Sequence, residues 1–178
     1  ARSDILYHYG LYRVHRLNQN FYAETGWVIM EDRDFMLAAL ALARRSADED
    51  EVPVGAVIVR NGEIVGEGRN RREQDKNALA HAEIEAIEAA CRSLNGWRLW
   101  ECELYVTLEP CPMCAGAIIN ARIKRVIFGA TDEKAGSCGS VVNLLELPYN
   151  HKPAVTGGFM AEECAGELKT FFAKLREN

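Results

Sequence analysis

Between residues 31 and 51, in EDRDFMLAALALARRSADEDE, the apolar positions Phe35, Leu37, Ala38, Leu40, Ala41 and Leu42 recur at roughly helical spacing. Acids come early and arginines late, the order that suits a helix dipole, so this stretch is predicted to be a helix. Two apolar runs follow, VGAVIVR (54–60) and EIVGEGRN (63–70), on either side of Asn61-Gly62. Both turn residues tolerate positive φ, which predicts a β-hairpin. AHAEIEAIEAA (80–90) is rich in alanine and carries Ile84 and Ile87 one turn apart, predicting a helix over 80–94. ELYVTLE (103–109) reads as a strand. PCPMCAGAIINARI (110–123) turns into a helix, with Pro112 suited to its first turn. KRVIFGA (124–130) reads as a strand, DEKAGSCGSV (132–141) as a loop, and AEECAGELKTFFAKLREN (161–178) as a closing helix. Helices alternating with strands predict a layered α/β domain, with no internal repeat and no low-complexity linker.

Residues 1–29 follow neither period, although they hold Tyr7, Tyr9, Tyr12, Phe21, Tyr22 and Trp27. A methionine, Met30, stands just before the first predicted helix. Residues 1–29 are therefore expected to be an extension, vector-derived or disordered, and residues 30–178 the functional domain; an aromatic interaction arm is the competing reading.

The whole chain has 178 residues, enough for one domain with a real core. Hydrophobic residues make up 48% and charged ones 26%, an ordinary globular balance. A net charge of −5 argues against a surface that binds nucleic acid everywhere and leaves room for a local basic patch. No apolar run is long enough to span a bilayer, so no membrane is expected. The N-terminus has no basic region leading into an apolar one, so it does not read as a secretory signal. Six scattered cysteines in a chain of this size point to reduced thiols in the cytoplasm.

The chemistry lies in two places. Cys111-Pro-Met-Cys114 sits where a strand feeds a helix, a position that lowers a thiol pKa and lets two sulfurs reach one ion. Alone, such a pair fits a redox couple, half of a structural zinc site, or part of a catalytic one. His81 would make a third ligand, and three protein ligands leave a position open for catalysis. Cys102 comes into question as a fourth ligand, but the strand between it and residue 111 disfavours it. Cys91, Cys138 and Cys164 read as core or loop thiols. Two thiolates would neutralise a zinc dication and make it a weaker acid, so a nearby base is useful, and Glu83 is the candidate. On an ideal helix His81 and Glu83 differ by about 200°, so they are not expected to share a face.

His81-Ala82-Glu83 followed by Pro110-Cys111-Pro112-Met113-Cys114 matches the zinc deaminase signature. With EVPVGAV, TLEPCPMCAG, ARIKRVIFGA and FFAKLR, residues 31–178 resemble the bacterial tRNA-specific adenosine deaminases of the cytidine/deoxycytidylate deaminase superfamily. The resemblance implies a three-layer α/β/α cytidine-deaminase-like fold with a central five-stranded mixed sheet, assembled as a homodimer. It implies one zinc ion per chain held by His81, Cys111 and Cys114. The substrate would be the wobble adenosine of a tRNA anticodon stem-loop, converted to inosine by hydrolysis at C6 while Glu83 shuttles protons. By the family pattern Asn70 contacts the extruded base, and Pro53, Val54, Ala82 and Pro110 shape its pocket. Asp132 and Lys134 lie along the anticodon loop; Phe171, Phe172 and Arg176 flank the RNA, unless the phenylalanines are core. Two basic runs, Arg69, Arg71, Arg72 and Lys76, then Arg122, Lys124 and Arg125, are candidates for phosphate contact. A guanine- or cytosine-type deaminase and a noncatalytic RNA-binding module with structural zinc are the alternatives.

Overall fold

The computed structural model describes residues 30–177; the expectation for residues 1–29 lies outside them. Helix α1, Asp32–Asp48, opens with a Glu31 N–H donating to Asp34 Oδ2 at 2.9 Å. Strands β1, Gly55–Arg60, and β2, Glu63–Arg69, form the expected hairpin, with Asn61 at φ 52° and Gly62 at φ 80°. A bulge between Ile58 and Val59 shifts their register. A short helix α2, Arg72–Asp75, leads to α3, Ala82–Ser93. Then come β3, Cys102–Leu108, α4, Pro112–Ala121, and β4, Arg125–Ala130. A 3-10 turn, Leu144–Glu146, precedes β5, Ala154–Thr156, and α5, Ala161–Glu177.

The strands form one sheet in the order β2-β1-β3-β4-β5. β1 is antiparallel to β2 and β3, whereas β3, β4 and β5 are mutually parallel, so the sheet is mixed. Alternation along the strands splits the core in two. Ala56, Ile58, Leu104, Val106, Val126 and Phe128 pack with the alanine face of α3 and with Ala115 and Ile118 of α4. Val57, Val59, Tyr105 and Ile127 pack on the other face against α1 and Cys164 of α5. This is the three-layer α/β/α arrangement expected from the resemblance. β5 carries no readable pattern of its own: it is three residues long and exposed throughout.

Two glycines of β2 set the position of α3. A Cβ at Gly68 would overlap the Ala82 carbonyl oxygen, and one at Gly66 would overlap the Ala86 carbonyl oxygen. Only glycine lets the helix backbone come so close to the strand. Glu85 fastens the same contact by accepting from Arg71 Nε at 2.8 Å and the Arg69 N–H at 3.4 Å. The N-terminus of α3 is thereby held at the sheet edge where β3 and β4 end.

Candidate metal centre and active site

Residues 81 and 111 both stand just before a helix, in extended conformation: His81 at φ −86°, ψ 150°, and Cys111 at φ −74°, ψ 175°. Neither side chain caps its own helix. His81 Nδ1 instead lies 3.7 Å from Cys111 Sγ and 3.6 Å from Cys114 Sγ. All three ligand atoms fall within 4.8 Å of one another, and no other His, Cys, Asp or Glu of the described residues joins such a cluster with them. Helices α3 and α4 thus point their N-termini at one spot, where free N–H groups favour thiolates.

The electrostatics suit a cation. The Cys114 thiol donating to Cys111, helped by His81, holds Cys111 down to about 4, so it is a thiolate at neutral pH. The same contact pushes Cys114 upward. The Cys111 sulfur raises His81. Two sulfurs and one imidazole nitrogen at this spacing fit a zinc ion, with a fourth position open. Cys102 takes no part. It opens β3 at the opposite end, and the strand between is roughly 20 Å long. Cys138 and Cys164 are buried, as expected of core thiols, and Cys91 is half-buried.

Glu83 is buried at the first turn of α3 and reaches Cys114. Burial pushes its carboxyl up to about 7, against the pull of its own backbone N–H and of His81. A carboxyl poised there both accepts and returns a proton near neutral pH. The 200° separation expected from an ideal helix does not apply, because His81 is extended rather than helical. Its ring therefore swings to the side where Glu83 meets the sulfurs.

The remaining expected residues divide. Pro53, Val54, Asn70, Ala82 and Pro110 are buried at this same edge of the sheet. The Asn70 N–H donates to the Val54 carbonyl at 3.0 Å, and the Arg71 N–H to the Ala80 carbonyl at 3.0 Å, next to His81. Asp132 is half-buried and Lys134 exposed. Asp132 Oδ1 accepts from the Lys134 N–H at 2.9 Å, shaping the turn between them. Phe171 is buried and packs edge-on against the exposed Phe172 at 5.4 Å, so only Phe172 of the pair faces outward. Arg176 is exposed. The second basic run is misplaced for the expected phosphate contact: Arg125 opens β4 at the far edge and is spent on Asp32 at 2.7 Å and Glu103 at 3.3 Å. Arg122 donates to Asn150 at that same edge. In the first run Arg69 pairs with Glu49, Lys76 with Glu73, and Arg71 with Glu85 and Asp75. Arg72 is exposed and makes no ion pair among the described residues.

Sequence reading missed two buried carboxylates. Glu109, 2% exposed, accepts from the Asp132 N–H at 3.0 Å through Oε2 and from the Cys138 and Ser140 N–H groups, each at 3.0 Å, through Oε1. The Ser140 hydroxyl adds a fourth, short bond. Burial pushes this carboxyl up, but the Ser140 hydroxyl and the backbone donors outweigh it and hold it below its ordinary value. Glu109 therefore ties the loop bearing Asp132 and Lys134 to the turn bearing Cys111. Its signal was a lone acid ending an apolar strand. Glu51, 1% exposed, accepts from Asn70 and from the Gln74 N–H. It was hidden inside an acidic run that reads as solvated loop.

Residues 29–130 match the model of the cytidine and deoxycytidylate deaminase zinc-binding region. The tRNA-specific adenosine deaminase of Bacillus subtilis (strain 168) is 47% identical over 148 residues, covering 83% of this chain and 92% of that one. A solved structure from studies of A-to-I editing by tRNA:A34 deaminases superposes with a TM-score of 0.74 at 44% identity, covering 76% of this chain and 99% of that one. Guanine deaminase from Bacillus subtilis is more distant in shape, with a TM-score of 0.56 at 42% identity over 57% of this chain and 66% of that one. Among the described residues no helix is long and apolar enough to cross a membrane. Two helix tips that bring one imidazole, two thiols and a buried carboxyl together are thus matched by likeness along most of the chain, and the protein belongs to the cytidine and deoxycytidylate deaminase family, in its tRNA-specific adenosine deaminase branch.

Proposed function

We propose that this chain hydrolyses the wobble adenosine of a tRNA anticodon to inosine. The observation that carries the reading is Glu83, a buried carboxyl that reaches Cys114 beside a three-ligand site, in a chain 47% identical to a tRNA-specific adenosine deaminase. A structural zinc site has no use for such a group. Zinc bound by His81 Nδ1 and the two sulfurs supplies Lewis-acid activation of water.

The chain's own residues do the rest. Glu83 takes a proton from the attacking water and delivers it to N1 of adenine as the C6–O bond forms. The proton left on the C6 hydroxyl then passes through Glu83 to the leaving nitrogen, so that C6=O forms as the C6–N6 bond breaks and ammonia leaves. Pro53, Val54, Ala82 and Pro110 give the base a dry wall, and Asn70 holds it by a hydrogen bond. A base in a single-stranded loop costs least to extrude, which favours an anticodon loop as substrate. Asp132, Lys134, Phe172, Arg176 and Arg72 meet the flanking RNA, with Phe171 supporting Phe172 from the core. The working form is a homodimer; exposed Val141, Val142, Leu147 and Tyr149 offer apolar surface for a second copy. Six free cysteines suit the reducing cytoplasm, where tRNA is processed.

Zinc-loaded protein incubated with an anticodon stem-loop bearing A at the wobble position is expected to yield inosine, while free adenosine, cytidine and guanine stay unchanged. Guanine turnover without inosine in the RNA would move the chain to the guanine-type reading, which the likeness to guanine deaminase makes the second choice.

A further inference from the structure

Asn70 is only 6% exposed, and its backbone is held on both sides. Its N–H donates to the Val54 carbonyl at 3.0 Å, and its carbonyl accepts from Ser46 Oγ at 2.9 Å. Its Nδ2 lies 3.3 Å from Glu51 Oε2 and 3.3 Å from the Val52 carbonyl oxygen. A carboxylate and a carbonyl are acceptors only. The reverse orientation would set the amide oxygen against two oxygens, so the chemistry of the neighbours decides which way the amide turns. Asn70 Oδ1 accepts no hydrogen bond from the described residues and is not among their sealed, unpaired atoms.

Glu51 has to be a carboxylate for this. Its Oε2 takes Asn70, and its Oε1 takes the Gln74 N–H at 2.8 Å. Two donors thus need two acceptor oxygens on one side chain. A glutamine has one oxygen and must turn its NH2 on one donor. The Gln74 N–H is fixed by the backbone of α2, so the conflict falls on the Asn70 amide, whose orientation is then held by the Val52 carbonyl alone.

We propose that Glu51 is a positioning residue that locks the Asn70 amide with its oxygen toward the bound nucleoside, so that Asn70 reads a hydrogen-bond donor there. The donor is an N–H of the base or a hydroxyl of the ribose. This rests on the deaminase reading above.

Measurements on zinc-loaded protein test it. The side-chain NH2 signals of Asn70, identified by their loss in Asn70→Ala, are expected to shift in Glu51→Gln while the melting temperature stays close to wild type. Glu51→Gln is expected to slow single-turnover inosine formation about tenfold, the scale of one lost hydrogen bond, with stem-loop affinity nearly unchanged. In an Asn70→Ala background the same substitution is expected to cost nothing further. Glu51→Asp, which keeps two acceptors on a shorter arm, should lose less, and it carries the cycle if Glu51→Gln fails to fold. A stem-loop with 2′-deoxyadenosine at the target locates the donor: insensitivity to Asn70→Ala assigns the ribose hydroxyl and upholds an acceptor on Asn70, whereas undiminished sensitivity moves the contact to the base and counts against the ribose donor. Equal losses in both backgrounds, or an unshifted Asn70 amide, would overturn the proposal. An inactive wild type would overturn the deaminase reading alone, because the amide spectrum needs no turnover.

Discussion

His81 and Glu83 are neighbours with separate duties, and their removal should fail in separate ways. His81→Ala takes one of three ligands from two thiols that remain side by side, so zinc content and melting temperature should both fall. Glu83→Ala should keep zinc, fold and stem-loop binding, because the carboxyl stands beside the ligands and is not one of them. It should nonetheless cost the upper part of the about 10²–10⁴-fold that general acid–base catalysis supplies, since the proposed mechanism asks Glu83 for more than one proton transfer. Metal analysis, stem-loop binding and single-turnover inosine formation separate the two variants. Loss of zinc in Glu83→Ala would place that carboxyl in the coordination sphere. The identity of these residues was legible in the sequence because His81, Glu83, Cys111 and Cys114 each sit at a fixed offset from a helix start. Their relative direction was not, since helical angles say nothing of a residue that is extended at the helix threshold.

At the scale of elements, the site depends on how closely α3 lies against β2. Gly66 and Gly68 allow that approach, and Glu85 pins it from the helix side. Gly68→Val should push α3 outward at Ala82, between the ligand and the proton shuttle. Overpacking of this kind costs about 1–3 kcal/mol and more where backbone must move. Both the melting temperature and zinc affinity should drop, measured by thermal unfolding and by competition with a chromophoric chelator. An unaffected zinc affinity would mean that the strand, and not the helix, gives way. The hairpin was readable because Asn61-Gly62 states its turn type outright. The fifth strand was not readable from its residues: a three-residue exposed edge has neither alternation nor apolar content, and it exists because β4 offers it a parallel edge.

Across the whole molecule, charge is distributed by edge. At the site edge Arg72 makes no ion pair among the described residues and Arg71 is only partly exposed and shared, while the far edge binds Arg125 into a network with Asp32, Glu103 and the Tyr105 hydroxyl. The Arg125 guanidinium there holds Asp32 below the usual carboxylate range. RNA binding should therefore be local and salt-sensitive despite a net charge of −5. Replacing Arg71 and Arg72 together by Ala should weaken stem-loop binding and flatten its salt dependence by about one to two phosphate contacts. Arg122→Ala and Lys124→Ala should change neither. Binding titrated over a range of salt concentrations checks both, and an equal effect from the far-edge pair would return that run to the interface.

The sequence by itself determined four of the five strands, the four long helices, the three ligands and the acid near them, because each is written in local spacing: helical period, turn residues, and ligands a fixed step from a helix start. It also carried enough likeness to point to the family. Only the tertiary structure decided which charges are available, since Arg125 and Arg72 look alike until their partners are in place. It alone turned Phe171 inward and Phe172 outward. It alone took Glu51 and Glu109 from apparent surface acids to buried acceptors, because a carboxylate is recruited by donors that arrive from distant segments, Gln74 and Asn70 for one, Asp132, Cys138 and Ser140 for the other. Local patterns record what the chain does within a turn or two; hydrogen bonds between segments exist only once the sheet has brought those segments to the same edge.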